Sequence, residues 1–68
     1  MNTDLIDRRE VSRIEVMRRL RIRDLRKFRR STIYALLKIN EVTITRKDVR
    51  YPQEFVVAAF RSRGLRWN

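Results

Sequence analysis

The sequence predicts one small domain, mainly α-helical, with a short β-hairpin ahead of its last helix. Three observations carry this fold class. Apolar residues recur at three- and four-residue steps over residues 14 to 39 and again over residues 55 to 60. Over residues 41 to 45, "EVTIT", the texture changes to β-branched alternation. One glycine and one proline in 68 residues leave little room for a loose chain, and both flank the last helical stretch. The alternative arrangement is a helical hairpin followed by a C-terminal helix. Residues 1–68 are read as a single basic domain, with residues 1–7 as a flexible N-terminus.

The first helix is expected at about residues 11 to 20. Asp7 with Glu10, or Ser12 with Glu15, forms the capping box that starts it. Ile14, Met17 and Leu20 or Arg21 follow helical spacing, and Val16 and Leu20 make a second i,i+4 pair. A bend is expected near residues 22 to 24, because one unbroken rod would leave a small domain little to fold against. The next helix runs from about Asp24 to Lys38, with Leu25, Phe28, Thr32, Ala35 or Leu36, and Ile39 on its periodic face. Alternatively, Ser31 caps a separate helix, "TIYALLKI". The hairpin pairs "EVTIT" with "VRY", residues 49 to 51, and places Arg46, Lys47 and Asp48 in the turn. Pro52 suits the first position of the last helix, Glu54 its positive end, and Arg61 and Arg63 its negative end. Gly64 takes the left-handed position that stops it. Phe55, Val56, Ala59 and Phe60 form the buried stripe, and Leu65 and Trp67 fold back onto it.

Composition excludes several functions. Cysteine and histidine are both absent, which removes disulfides, zinc fingers and every Cys- or His-based catalytic scheme. There is no Gly-rich phosphate loop and no acidic cluster for magnesium. Asp24 and Glu54 stand singly among arginines, as caps or ion-pair partners do. The chain is therefore read as no enzyme, with no metal and no cofactor. "MNTDLIDRRE" begins acidic and lacks an apolar segment, so it does not read as a secretion signal. No stretch approaches the ~20 apolar residues of a membrane span. The expected location is the cytoplasm, with no membrane partner.

The charge points to a partner. The net charge is +10, and arginine outnumbers lysine five to one. Arginine offers a planar fork of donors suited to phosphates and to guanine edges. Residues 8 to 30 carry +8, residues 31 to 60 only +1, and the last eight residues +3. Clustering of this kind is the footprint of a polyanion binder. Arg26, Arg29 and Arg30 are expected to neutralise phosphates, while Ser31, Thr32 and Tyr34 help to fix register. Arg61, Arg63 and Arg66 form a second basic patch, for the nucleic-acid backbone or for a neighbouring protomer.

One family resemblance lies in the same run. "SRIEVMRRLRI" followed by "RRSTIYALLK" resembles the opening helices of the AlpA-like and excisionase-like winged helix-turn-helix proteins, small regulators encoded by phages and other mobile elements. In that family an "EV…RL.I" helix packs against a recognition helix that begins "SRSTIY". The resemblance covers about residues 12 to 38 and implies a small winged helix-turn-helix-like domain. Val16 and Leu20 would then be core, Arg30, Ser31 and Thr32 would lie at the DNA, and Tyr34 would sit near its backbone. The wing would map onto residues 42 to 51, with Arg46, Lys47 and Arg50 facing phosphate. Two departures stand out: "RDLRKF" intervenes where the family has a short turn, and "KINEVTIT" replaces its Gly and Pro before the wing.

The expected partner is duplex DNA, bound by a homodimer acting as a transcriptional regulator or recombination accessory factor. RNA is the second expectation, with Tyr34, Tyr51 or Trp67 stacking on unpaired bases. The third, from a different class, is a protein-interaction module whose Ile14, Met17, Leu25 and Phe28 dock on an acidic partner.

Overall fold

The computed structural model describes residues 9 to 67. The expected flexible segment, residues 1–7, and the alternative cap Asp7 lie outside the described residues. The chain runs through a strand β1 (Glu10–Ser12), helices α1 (Arg13–Arg19), α2 (Leu25–Arg29) and α3 (Thr32–Leu37), and a 3-10 turn (Lys38–Asn40). Strands β2 (Val42–Thr43) and β3 (Val49–Pro52) and helix α4 (Gln53–Ser62) complete it. The result is a small mixed α/β domain with an open antiparallel sheet of order β1-β3-β2.

Three of the helix starts follow directly from polar side chains, at Ser12, Asp24 and Ser31. Ser12 stands in extended backbone and its hydroxyl accepts the Glu15 amide at 3.2 Å, so α1 begins from the second of the two capping boxes. Asp24 accepts the Arg26 amide at 2.8 Å and starts α2 after the expected bend. The residues ahead of Ser12 do not extend α1. They form β1, which pairs with β3 in the register Val11 to Tyr51, because β3 offers an edge that local sequence cannot reveal.

The expected helix over residues 24 to 38 is divided. Ser31 accepts the Tyr34 amide at 3.1 Å and donates its own hydroxyl to the Phe28 carbonyl at 2.7 Å, which closes α2 and opens α3. The break rotates the apolar stripe. Phe28, Ile33 and Leu37 are buried, whereas Thr32, Ala35, Leu36 and Ile39 face outward.

Both α1 and α4 end in the same pair of hydrogen bonds. Leu65 N–H donates to the Phe60 carbonyl at 2.8 Å and Gly64 N–H to that of Arg61 at 3.0 Å, with Gly64 at φ 71°. At α1, Ile22 N–H donates to the Met17 carbonyl at 2.9 Å and Arg21 N–H to that of Arg18 at 3.0 Å, with Arg21 at φ 58°. Pro52 is not the first helical residue, as the sequence suggested. It closes β3 and stands just ahead of α4.

Every helix and the central strand β3 contribute to one core, in which Val16, Phe28, Leu37, Tyr51, Val56 and Phe60 are fully buried. Trp67 returns to this core and meets the Phe60 ring edge-on, 5.1 Å between centroids. Leu65 does not follow it and remains exposed. Phe55 also stays outside the core, because α4 turns Val56, Ala59 and Phe60 inward and leaves Phe55 beside Leu36 in a shallow apolar recess.

Candidate nucleic-acid interface

The α2–α3 junction gathers the largest number of the expected binding residues. Arg26 and Arg30 lie one helical turn apart, and the Arg30 Nε donates to the Arg26 carbonyl at 3.4 Å. Arg26, Lys27, Arg29 and Arg30 are exposed, and none makes an ion pair with a described residue. Asp24, the one acid nearby in sequence, spends its carboxylate on the α2 cap. Thr32 is exposed at the head of α3. Ser31 serves as a cap, with its hydroxyl already donating and accepting. Tyr34 is half-buried, its ring edge-on to Phe28 at 5.3 Å, so it ties the two helices together.

α3 leads through the 3-10 turn straight into the hairpin. Ile44 N–H donates to the Asp48 carbonyl at 3.0 Å, and Asp48 N–H donates to the Thr45 hydroxyl at 3.0 Å, which closes the turn. The Thr45–Asp48 pair thus shapes a turn and caps no helix. Arg46 and Lys47 are exposed at the tip. Arg50 differs from both. Its Nε and one terminal nitrogen donate to the two Asp48 oxygens at 2.9 and 3.2 Å, and Glu10 lies 3.8 Å away. The Asp48 hydrogen bonds hold the Arg50 guanidinium still more firmly protonated than usual. On the same strand the Tyr51 hydroxyl donates to Glu41 at 2.8 Å. Burial first, and then this bond, push the Tyr51 phenol far above its ordinary range.

The C-terminal patch is only partly assembled. Arg61 and Arg66 line a recess of about 450 Å³ with Val57, Leu65 and Trp67, while Arg63 caps α4 outside it. Arg19 stacks over the Trp67 ring at 4.7 Å and donates to the Trp67 carbonyl, so the tail is held by a cation as well as by burial. Among the described residues, no group of acids gathers in a way that would hold a metal.

One basic cluster escaped the sequence reading. Arg18, Arg21 and Arg23 together line a recess of about 360 Å³ at the end of α1. The available signal was "RRLRIR", a helix end carrying arginine where a glycine stop is usual.

Two sequence expectations lose their physical basis. Tyr51 and Trp67 are buried and cannot stack on unpaired bases. Met17 and Phe28 belong to the protomer's own core, so the helical-hairpin docking face does not exist in that form. No described helix is long and apolar enough to cross a membrane. Comparison with family models, with curated proteins and with solved structures gave no match.

Proposed function

We propose that the protein is a small duplex-DNA-binding factor of winged helix-turn-helix type, serving transcriptional regulation or recombination in a phage or other mobile element. The observation that carries this reading is the run of exposed cations at the α2–α3 junction without acid partners among the described residues. That run sits on α2 and its C-cap, and the following helix α3 leads through the 3-10 turn into a hairpin tipped by Arg46 and Lys47. The sheet order β1-β3-β2 supports it as well. Arg26, Arg29 and Arg30 neutralise phosphates, Thr32 and Tyr34 help to fix register, and the hairpin tip reaches backbone farther along the duplex. Arg61 and Arg66 give a second basic surface. The mechanism is stoichiometric and cytoplasmic, and a homodimer would read two half-sites about one helical turn apart.

The test is a mobility-shift titration across salt on duplex DNA and on structured RNA. Bound arginines release counterions, so duplex affinity is expected to fall steeply as salt rises. Arg30→Ala should relax preference at one base pair by about 1–3 kcal/mol, whereas Arg61→Ala should weaken all duplexes alike. Binding to neither nucleic acid at low salt would overturn the reading and favour an acidic protein partner. Sedimentation equilibrium showing only an 8.4 kDa species would remove the dimer and leave a monomeric binder.

A further inference from the structure

Arg21 carries two independent costs. Its backbone stands at φ 58°, a left-handed conformation that a side chain bearing Cβ adopts unfavourably. It also lines one recess together with Arg18 and Arg23, so three residues that each carry a full positive charge border the same space. The acid beside this group is Glu15, 3.9 Å from Arg18, and Glu15 also serves Arg19 at 3.5 Å.

Neither cost is required by the fold. The end of α4 makes the same pair of hydrogen bonds with Gly64 in the equivalent place. Arg18, Arg21 and Arg23 are all exposed and contribute nothing to the buried core. Strain kept where a cheaper residue would serve marks a functional position. Like charges brought together on an exposed turn are relieved by an anion, and the planar guanidinium fork is matched to phosphate oxygens.

We propose that Arg18, Arg21 and Arg23 form a cradle for backbone phosphate, with Arg21 held left-handed so that its charge joins the other two. This rests on the DNA-binding reading and extends it to a second contact with the duplex backbone. Arg23 lies just ahead of the α2 N-cap Asp24, and Arg30 is the α2 C-cap, so the cradle and the junction flank the same short helix.

The experiment compares the intact protein with Arg21→Gly and Arg23→Gln, reading thermal melting and duplex affinity across salt. Arg21→Gly is expected to melt a few degrees higher, yet to bind duplex several-fold more weakly, with a log–log salt slope smaller by about one. Arg23→Gln should show the same loss of binding with little change in melting, which separates charge from backbone strain. Unchanged slopes in both variants would overturn the cradle and leave DNA binding by Arg26, Arg29 and Arg30 standing. If the intact protein binds no duplex, inorganic pyrophosphate becomes the probe. A pyrophosphate-dependent rise in melting temperature that both variants lose would keep the cradle as a site for free phosphate while the DNA reading falls. No response to either ligand would overturn both.

Discussion

The sheet and the α1–α2–α3 arm handle charge in opposite ways. At the sheet, Glu10 and Asp48 face Arg50, and Glu41 accepts from Tyr51, so acids and donors are matched across the strands. On the arm, Arg26, Lys27, Arg29 and Arg30 have no described acid partner, and Arg18, Arg21 and Arg23 crowd around one recess. The two regions are built from the same residue types. Arg50 is a structural cation whose field is cancelled locally. On the arm, Glu15 serves Arg18 and Arg19, and the remaining cations from Arg21 to Arg30 have no described acid partner, which leaves a field that a polyanion can use.

The largest expected effect breaks the sheet side. Tyr51 is fully buried on the central strand, with its hydroxyl satisfied by Glu41. Tyr51→Ala would leave a ring-sized cavity and should cost about 3–5 kcal/mol, as large aromatic deletions do. Urea unfolding followed by circular dichroism measures it. A cost below about 1 kcal/mol would mean that β3 does not anchor the core.

Next in size is an alkaline effect from the same residue. The folded-state pKa of Tyr51 is raised by burial and by Glu41, while the unfolded phenol titrates near the ordinary value of about 10. Below pH 10 both states hold the proton and the contribution is fully present. Above it the unfolded state releases the proton first, so stability falls with rising pH, by up to about 1.4 kcal/mol per pH unit. Tyr51→Phe should flatten that slope, at a cost of about 1 kcal/mol near neutrality from the lost hydrogen bond. Melting temperatures at pH 8 to 11 for the two proteins check this, and parallel curves would exclude Tyr51 as the source.

The two helix ends offer a smaller, paired comparison. Adding a Cβ at Gly64 meets nothing within 4 Å, so Gly64→Ala tests backbone strain alone. It should destabilise by about 1 kcal/mol, and Arg21→Gly should stabilise by a similar amount. Equal signs for the two substitutions would show that φ is not what distinguishes these positions.

These ends also show what was legible in the chain. Gly64 announced its own helix stop, because a lone glycine after an apolar stripe has few other uses. Ser12 with Glu15, one of the two capping boxes the sequence offered, the hairpin and the return of Trp67 were legible for the same reason, each signal being local and chemically specific, although β2 stops at Thr43 and the turn takes in Ile44 and Thr45, which the sequence assigned to the strand. The stop at Arg21 was only loosely placed, since arginine gives no sign that it will turn left-handed. β1 was missed because its partner lies about forty residues away and "EVS" carries capping residues of its own. The division at Ser31 was open in the sequence, and the favoured continuous helix put Thr32, Leu36 and Ile39 on the wrong face. The cradle of Arg18, Arg21 and Arg23 depends on that unannounced turn, so spacing alone did not assemble it.

The smallest expected effect is also the sharpest for function. Arg50 and Arg30 are both partly accessible arginines, and the sequence treated both as phosphate contacts. Arg50 is bidentate to Asp48 with Glu10 behind it, so a phosphate would have to displace a carboxylate already in place. Among the described residues, Arg30 donates to the Arg26 carbonyl at 3.4 Å and pairs with no acid. Arg50→Gln is therefore expected to leave the salt slope of duplex binding unchanged, or even to weaken binding through the acids it releases. Arg30→Gln should lower the slope by about one unit, the signature of one lost phosphate contact. Melting temperatures of both should stay near that of the parent, since exposed ion pairs contribute little to stability. If instead Arg50→Gln lowers the slope as much as Arg30→Gln does, the carboxylates at the sheet do not shield Arg50, and the hairpin belongs to the binding surface from its tip to its base.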